Sequence, residues 1–170
     1  MKRLYLIRHA KSNWSDAMLS DFDRPLSGRG KRDAPMIGRR LAAAGFAPEL
    51  FVASPAKRAR KTAAAIGAEL GYPKKDIVLI DELYTFELGG LLAVLQSVDD
   101  GVDSLALVGH NEAVSEAARW LTGEALASVP TCGVVAIACG VRRWSDLAEG
   151  CGRLEFFDYP KRAQPGDASP

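Results

Sequence analysis

Apolar residues along the chain fall into two alternating kinds of run. Short, nearly unbroken stretches occupy residues 4–7 (Leu-Tyr-Leu-Ile), 50–53 (Leu-Phe-Val-Ala), 77–80 and 105–108. A strand that faces solvent on one side alternates apolar with polar positions, whereas one covered on both faces does not. These runs therefore predict buried strands of a parallel sheet. Between them, apolar positions repeat at helical spacing. After Ser54-Pro55, residues Ala59, Ala63, Ile66 and Leu70 lie at i, i+4, i+7 and i+11, with Gly71 as a stop. Leu88, Leu91, Leu92 and Leu95 form a second stripe, and Val114, Ala117, Ala118 and Leu121 a third that closes near Gly123. A further helix is predicted between Ser27 and Gly45, kinked or delayed by Pro35. Late strands are expected near 134–139 and, with partial alternation, near 154–159.

Strand and helix alternating in this way predict an α/β fold, a three-layer α/β/α sandwich around a mostly parallel sheet. A chain of 170 residues suits one domain. We place that domain at residues 1–159, and expect 160–170, with its three prolines, to be a loose tail. Hydrophobic residues at 48% and charged residues at 25% exclude a disordered, collagenous or coiled-coil chain. Lysine and arginine number 22 against 21 acids, a formal charge of +1. No global field draws in nucleic acid or an acidic membrane, so neither is an expected partner and any anion must be recognised locally. The apolar run after Met1-Lys2-Arg3 is cut off by Arg8 and His9, and no later run approaches the roughly 20 residues that span a bilayer. Cys132, Cys139 and Cys151 are odd in number and lack metal-ligand spacing, which predicts free thiols in a cytoplasmic protein without a zinc site.

The two histidines, His9 and His110, each fall just past a predicted buried strand. In open α/β sheets, ligands bind outside the carboxyl ends of the strands. At a third strand end, Ser54 is expected to cap the next helix with Pro55 in its first turn. Lys57, Arg58, Arg60 and Lys61 then crowd that helix start. Cations there oppose the macrodipole by roughly 0.3–1 kcal/mol each when exposed. A bound anion reverses this cost for Arg58, nearest the free backbone N–H groups, whereas Lys57, Arg60 and Lys61 are expected to be solvated. Arg8 adds a second guanidinium fork, which makes phosphate the natural ligand.

These residues carry a resemblance. Leu6-Ile7-Arg8-His9-Ala10-Lys11-Ser12 resembles the Arg-His-Gly-x-Thr signature of the histidine phosphatase superfamily, whose fold is phosphoglycerate mutase-like. Ser54-Pro55-Ala56-Lys57-Arg58-Ala59-Arg60-Lys61-Thr62-Ala63 is similar to its second block, and Val108-Gly109-His110-Asn111 to its third. Asp23-Arg24-Pro25-Leu26-Ser27, Gly30 and Asp81-Glu82-Leu83-Tyr84 are similar to the SixA-type branch of phosphohistidine phosphatases. The resemblance covers about residues 3–122 and implies a phosphatase with no cofactor and no metal. It makes His9 the nucleophile, and Arg8, Arg58 and His110 the groups that hold the phosphoryl oxygens, with Asn111 and Ser15 as further phosphate contacts. Two departures stand out. Ala10 replaces the usual glycine, and Ser15 stands where many relatives carry a phosphate-binding asparagine. For a general acid the candidates are Asp81, Glu82 and Glu87; we select Glu82, although Thr85 falls at the best-aligned position. The resemblance implies phosphohistidine in a protein as substrate. The alternatives are a small-metabolite phosphomonoesterase and a non-catalytic phosphate-binding module.

Overall fold

In the computed structural model, which describes residues 1–164, the first apolar run lies inside a six-stranded sheet of order β3-β2-β4-β1-β5-β6. Its strands are β1 (Lys2–Arg8), β2 (Leu50–Ala53), β3 (Val78–Leu79), β4 (Ser104–Gly109), β5 (Val134–Cys139) and β6 (Gly152–Asp158). The first four run parallel; β5 pairs antiparallel with β1, and β6 antiparallel with β5. Four helices cover the faces: α1 (Gly28–Ala43), α2 (Lys57–Glu69), α3 (Leu88–Gln96) and α4 (Ala113–Thr122). Successive side chains of a strand point to opposite faces. Leu4 and Leu6 accordingly pack with Leu91, Leu95, Val114 and Leu121 on the α3–α4 side. Tyr5 and Ile7 pack with Ile37, Leu41, Ala63 and Ile66 on the α1–α2 side. The result is the α/β/α sandwich of a phosphoglycerate mutase-like fold.

Two local expectations change. The run 77–80 forms only the short β3, and Val78 and Leu79 are exposed because β3 is the sheet edge. Pro35 does not delay α1, which runs from Gly28 through it to Ala43. The proline ring leaves the carbonyl of exposed Lys31 without its helical partner, and solvent can satisfy that group. At the start of the expected tail, Arg40 donates to the carbonyls of Tyr159 and Pro160 and pairs with Asp158 at 3.3 Å. The rest of the expected tail, 165–170, lies outside the described residues.

One close approach bears on the site. Ser27 caps α1 through the Gly30 N–H, and a Cβ on Gly30 would stand 2.2 Å from the Lys11 carbonyl oxygen. Only glycine lets α1 start against the segment that follows β1. That segment is also closed by Ser27 N–H to the Lys11 carbonyl and Asn13 N–H to the Pro25 carbonyl, both at 2.8 Å. Residues 11–27 are thereby folded back over the carboxyl end of β1.

Candidate active site

The parallel registers bring three strand ends together. Ile7 and Arg8 pair with Val108 and Gly109, and Ala53 pairs with Val108, so His9, His110 and Ser54 emerge side by side. His9 is buried, 8% exposed, and its ring lies 5.2 Å from that of His110. His9 Nδ1 is 2.7 Å from the Ala10 carbonyl oxygen, an acceptor only, so Nδ1 carries the hydrogen. The other nitrogen, Nε2, then holds a free electron pair, and Arg58 Nε donates to it at 3.3 Å. The Ala10 N–H donates to Thr62 Oγ1 at 2.9 Å, which fastens the turn after His9 to α2. Ala10 is fully buried and does not take a left-handed φ, so replacing glycine there costs no strain.

Arg58 is 1% exposed and is the centre of the cluster. Besides His9, its guanidinium reaches His110 Nδ1 at 3.4 Å and Asp21 Oδ2 at 2.9 Å, and it donates to the Asp21 carbonyl. His110 Nε2 lies 2.7 Å from Ser54 Oγ, so His110 accepts from Arg58 and donates to Ser54. Ser54 is not the helix cap that its position suggested. The chain bends at Pro55 and Ala56, and α2 starts at Lys57 with Ala56 as its N-cap and no side-chain cap. Ser54 Oγ still accepts the Ala56 N–H at 3.3 Å while it orients His110. This leaves Arg58 in the open first turn of α2, where free N–H groups and the helix dipole favour an anion.

Both imidazoles are neutral. Burial lowers the His9 pKa to about 4, with Arg58, Arg8 and Arg24 pushing the same way against the Ala10 hydrogen bond. Burial, then His9 and Arg58, lowers that of His110 to about 3. Desolvation leads in both cases, ahead of the neighbouring cations. With only two histidines in the chain, an NMR pH titration reads them directly. Neither ring should titrate near the usual 6.5; midpoints near 4 and 3 are expected. The unfolded chain takes up these protons near pH 6.5, so stability should decrease as pH falls from there towards 4.

Several partners of this cluster had no site role expected from the sequence. Arg24 is buried; it donates to Ser12 Oγ at 2.7 Å and to Asp21 Oδ1 at 2.8 Å, and stacks on the Trp14 ring at 3.3 Å. Tyr84 OH donates to Asp21 Oδ2 at 2.5 Å. Burial tends to raise the Asp21 pKa, but the hydrogen bonds from Tyr84, Arg24 and Arg58 hold it well below the usual carboxylate range. Asp21 is thus an ionised carboxylate that joins two guanidinium groups. Arg8 spends Nη1 on the Val129 carbonyl at 3.0 Å, and its buried Nε has no partner among the described residues.

Other predicted site residues lie apart from this network. The Asn111 amide is taken up by Ser128 Oγ, the Val129 carbonyl and the Ser115 hydroxyl, so it braces the loop over Arg8. Ser15 is exposed, and its backbone N–H donates to Asn13 Oδ1 at 2.8 Å within its own turn. Glu82 is exposed on the turn Asp81–Leu83 and takes no part in the hydrogen bonds of the cluster among the described residues. Lys57 and Arg60 are half-buried and Lys61 exposed, all outside the network. Among the described residues, no three His, Cys, Asp or Glu side chains gather as metal ligands.

A neutral nucleophilic nitrogen set among guanidinium groups at the carboxyl edge of an α/β sheet is suited to covalent phosphoryl transfer. Residues 4–92 match the histidine phosphatase superfamily, branch 1, and the chain belongs to that family. It is 33% identical over 165 residues to an uncharacterised protein of Mycobacterium tuberculosis, covering 91% of this chain and 100% of that one. Among solved structures, it is similar to the phosphohistidine phosphatase SixA assigned in Agrobacterium tumefaciens, with TM-score 0.79 and 31% identity over 94% of this chain and 98% of that one. A protein histidine phosphatase SixA complexed with tungstate shares the fold, with TM-score 0.78 and 24% identity over 93% and 97% of the two chains. The family and these neighbours support a phosphatase.

Proposed function

We propose that the protein removes phosphate from phosphohistidine in a protein, through a phosphorylated His9. The observation that carries this reading is His9 Nε2, unprotonated and aimed at Arg58. Its electron pair forms the new N–P bond as the substrate P–N bond breaks. The departing imidazole keeps that bond's electrons and takes up a proton. Water then attacks phosphorus, releases phosphate and restores neutral His9. Arg58 and Arg8 hold the phosphoryl oxygens and Arg24 joins them; His110 joins in its other tautomer, with Nδ1–H towards an oxygen and Nε2 accepting from the Ser54 hydroxyl. The entering phosphoryl group takes over donors that Asp21 engages in the free protein. Charge on those oxygens is met by three arginines, and the reading needs no metal.

The leaving group favours a P–N bond over an alkyl ester. The one carboxylate in the hydrogen-bonded cluster is Asp21, which its partners hold ionised and so unfit to donate a proton. An alkyl phosphate needs such an acid, whereas a phosphoramidate nitrogen accepts its proton readily.

The test compares kcat/KM on a phosphohistidine protein with that on a panel of phosphosugars, each with and without EDTA. The phosphohistidine protein should be preferred and EDTA should change its rate less than twofold. A preference for an alkyl phosphate overturns the substrate, and loss of activity in EDTA that magnesium restores overturns the metal-free reaction.

A further inference from the structure

Beside the His9–His110 cluster stand aromatic rings whose exposure the fold does not require. Phe86 is 46% exposed and Phe22 38%, although a phenylalanine contributes most to stability when buried. They do not stand singly. Phe22 meets Tyr84 at 5.2 Å and Tyr84 meets Phe86 at 5.6 Å, both edge to face. Tyr84 and Phe86 in turn reach the His110 ring at 5.4 and 5.2 Å. Since His110 is 1% exposed, this wall of rings runs continuously from solvent to the imidazole beside the nucleophile. Two segments distant in sequence build it, and the hydrogen bond from Tyr84 OH to Asp21 ties them together. On Arg24, which shares Asp21 with Tyr84, lies the 69% exposed Trp14 ring.

We infer that Phe86, Tyr84 and Phe22 form a leaving-group subsite for a flat heteroaromatic ring joined to phosphorus, with Phe86 its specificity residue. This deepens the reading above and rests on it for the identity of the ring, the imidazole of phosphohistidine. A phosphoryl group seated on Arg58 touches the two buried imidazoles, so its substituent must emerge where the exposed rings stand. A flat ring gains offset or edge-to-face contact from such a wall, worth roughly three- to tenfold in affinity beyond its area. An ammonia leaving group gains nothing from it.

The experiment uses two P–N substrates that differ only in the leaving group, N-phosphoimidazole and phosphoramidate, with an aryl and an alkyl phosphate as a second pair. In Phe86→Ala the preference for N-phosphoimidazole over phosphoramidate, as a ratio of kcat/KM, should fall about three- to tenfold, mainly through KM. Phe86→Leu keeps apolar bulk without a ring and should fall likewise, whereas Phe86→Tyr should retain the ratio. Equal losses on both substrates, or an unchanged ratio in Phe86→Ala, overturn the subsite, and an unchanged ratio with intact P–N hydrolysis does so without touching the phosphohistidine reading. Absence of P–N hydrolysis in the wild type, with the aryl-over-alkyl preference still lost in Phe86→Ala, upholds the ring subsite and overturns the phosphohistidine reading instead.

Discussion

Replacing His9 by alanine should reduce kcat by at least about 10³-fold, because it removes the nitrogen that attacks phosphorus. His110 is the one other imidazole, and both its nitrogens are engaged, by Arg58 and by Ser54. Rapid acid quench should trap an acid-labile phosphoryl label on the wild type and none on His9→Ala. Inorganic phosphate should still bind the variant, since Arg8, Arg58 and Arg24 remain. Removing an exposed side chain would change stability by no more than about ±0.5 kcal/mol. His9 is instead 8% exposed and bonded at both nitrogens, so a destabilisation of about 1–3 kcal/mol is expected in denaturant unfolding. Substantial turnover by folded His9→Ala would overturn the covalent mechanism.

How much of this could be read from the sequence depends on how far apart the cooperating residues lie. Unbroken apolar runs marked β1, β2 and β4 because both faces of those strands are covered, one by α1 and α2 and the other by α3 and α4. The same kind of run misled at 77–80, since an edge position is decided by what lies beside a strand and not by its own residues. Arg8, His9, Arg58 and His110 stood out because each sits at or just past a strand end or in the first turn of a helix, and the registers then bring them together. Asp21, Arg24 and Tyr84 gave no such signal. Arg24 and Tyr84 lay within quoted motifs, yet their roles depend on residues 11–27 folding back over β1, which rests on contacts such as Gly30 against Lys11 and Arg58 against Asp21. Ser54 illustrates a competition between two local preferences. A serine before proline suits a helix cap, but β2 delivers it next to His110, and the hydrogen bond to that ring is the one it makes at 2.7 Å.

Arg58 and Arg60, on the same helix, should respond very differently to alanine. Arg58 is 1% exposed, lies within 3.5 Å of both catalytic-site imidazoles and is paired with Asp21. Arg60 is half-buried and joins none of these contacts. Losing a charge-assisted contact costs roughly 1.5–3 kcal/mol, which is more than tenfold in affinity or rate. Arg58→Ala should therefore raise the Kd for inorganic phosphate and lower kcat on an aryl phosphate, each by more than about tenfold, and Arg60→Ala should change either less than about twofold. The loss at Arg58 has a second source. Asp21 would keep Arg24 and Tyr84 as partners, so its charge would remain in the pocket with one fewer cation to offset it. Asp21 is 42% exposed on its side chain, so water can accept the freed oxygen and the fold should survive. Arg58→Lys separates charge from geometry, because a lysine restores the cation but cannot reach His9, His110 and Asp21 at once as a planar fork does. If lysine restores phosphate binding but not kcat, the fork's alignment of His9 is what matters in the transition state; equal effects at positions 58 and 60 would place the phosphate on the other face of the helix.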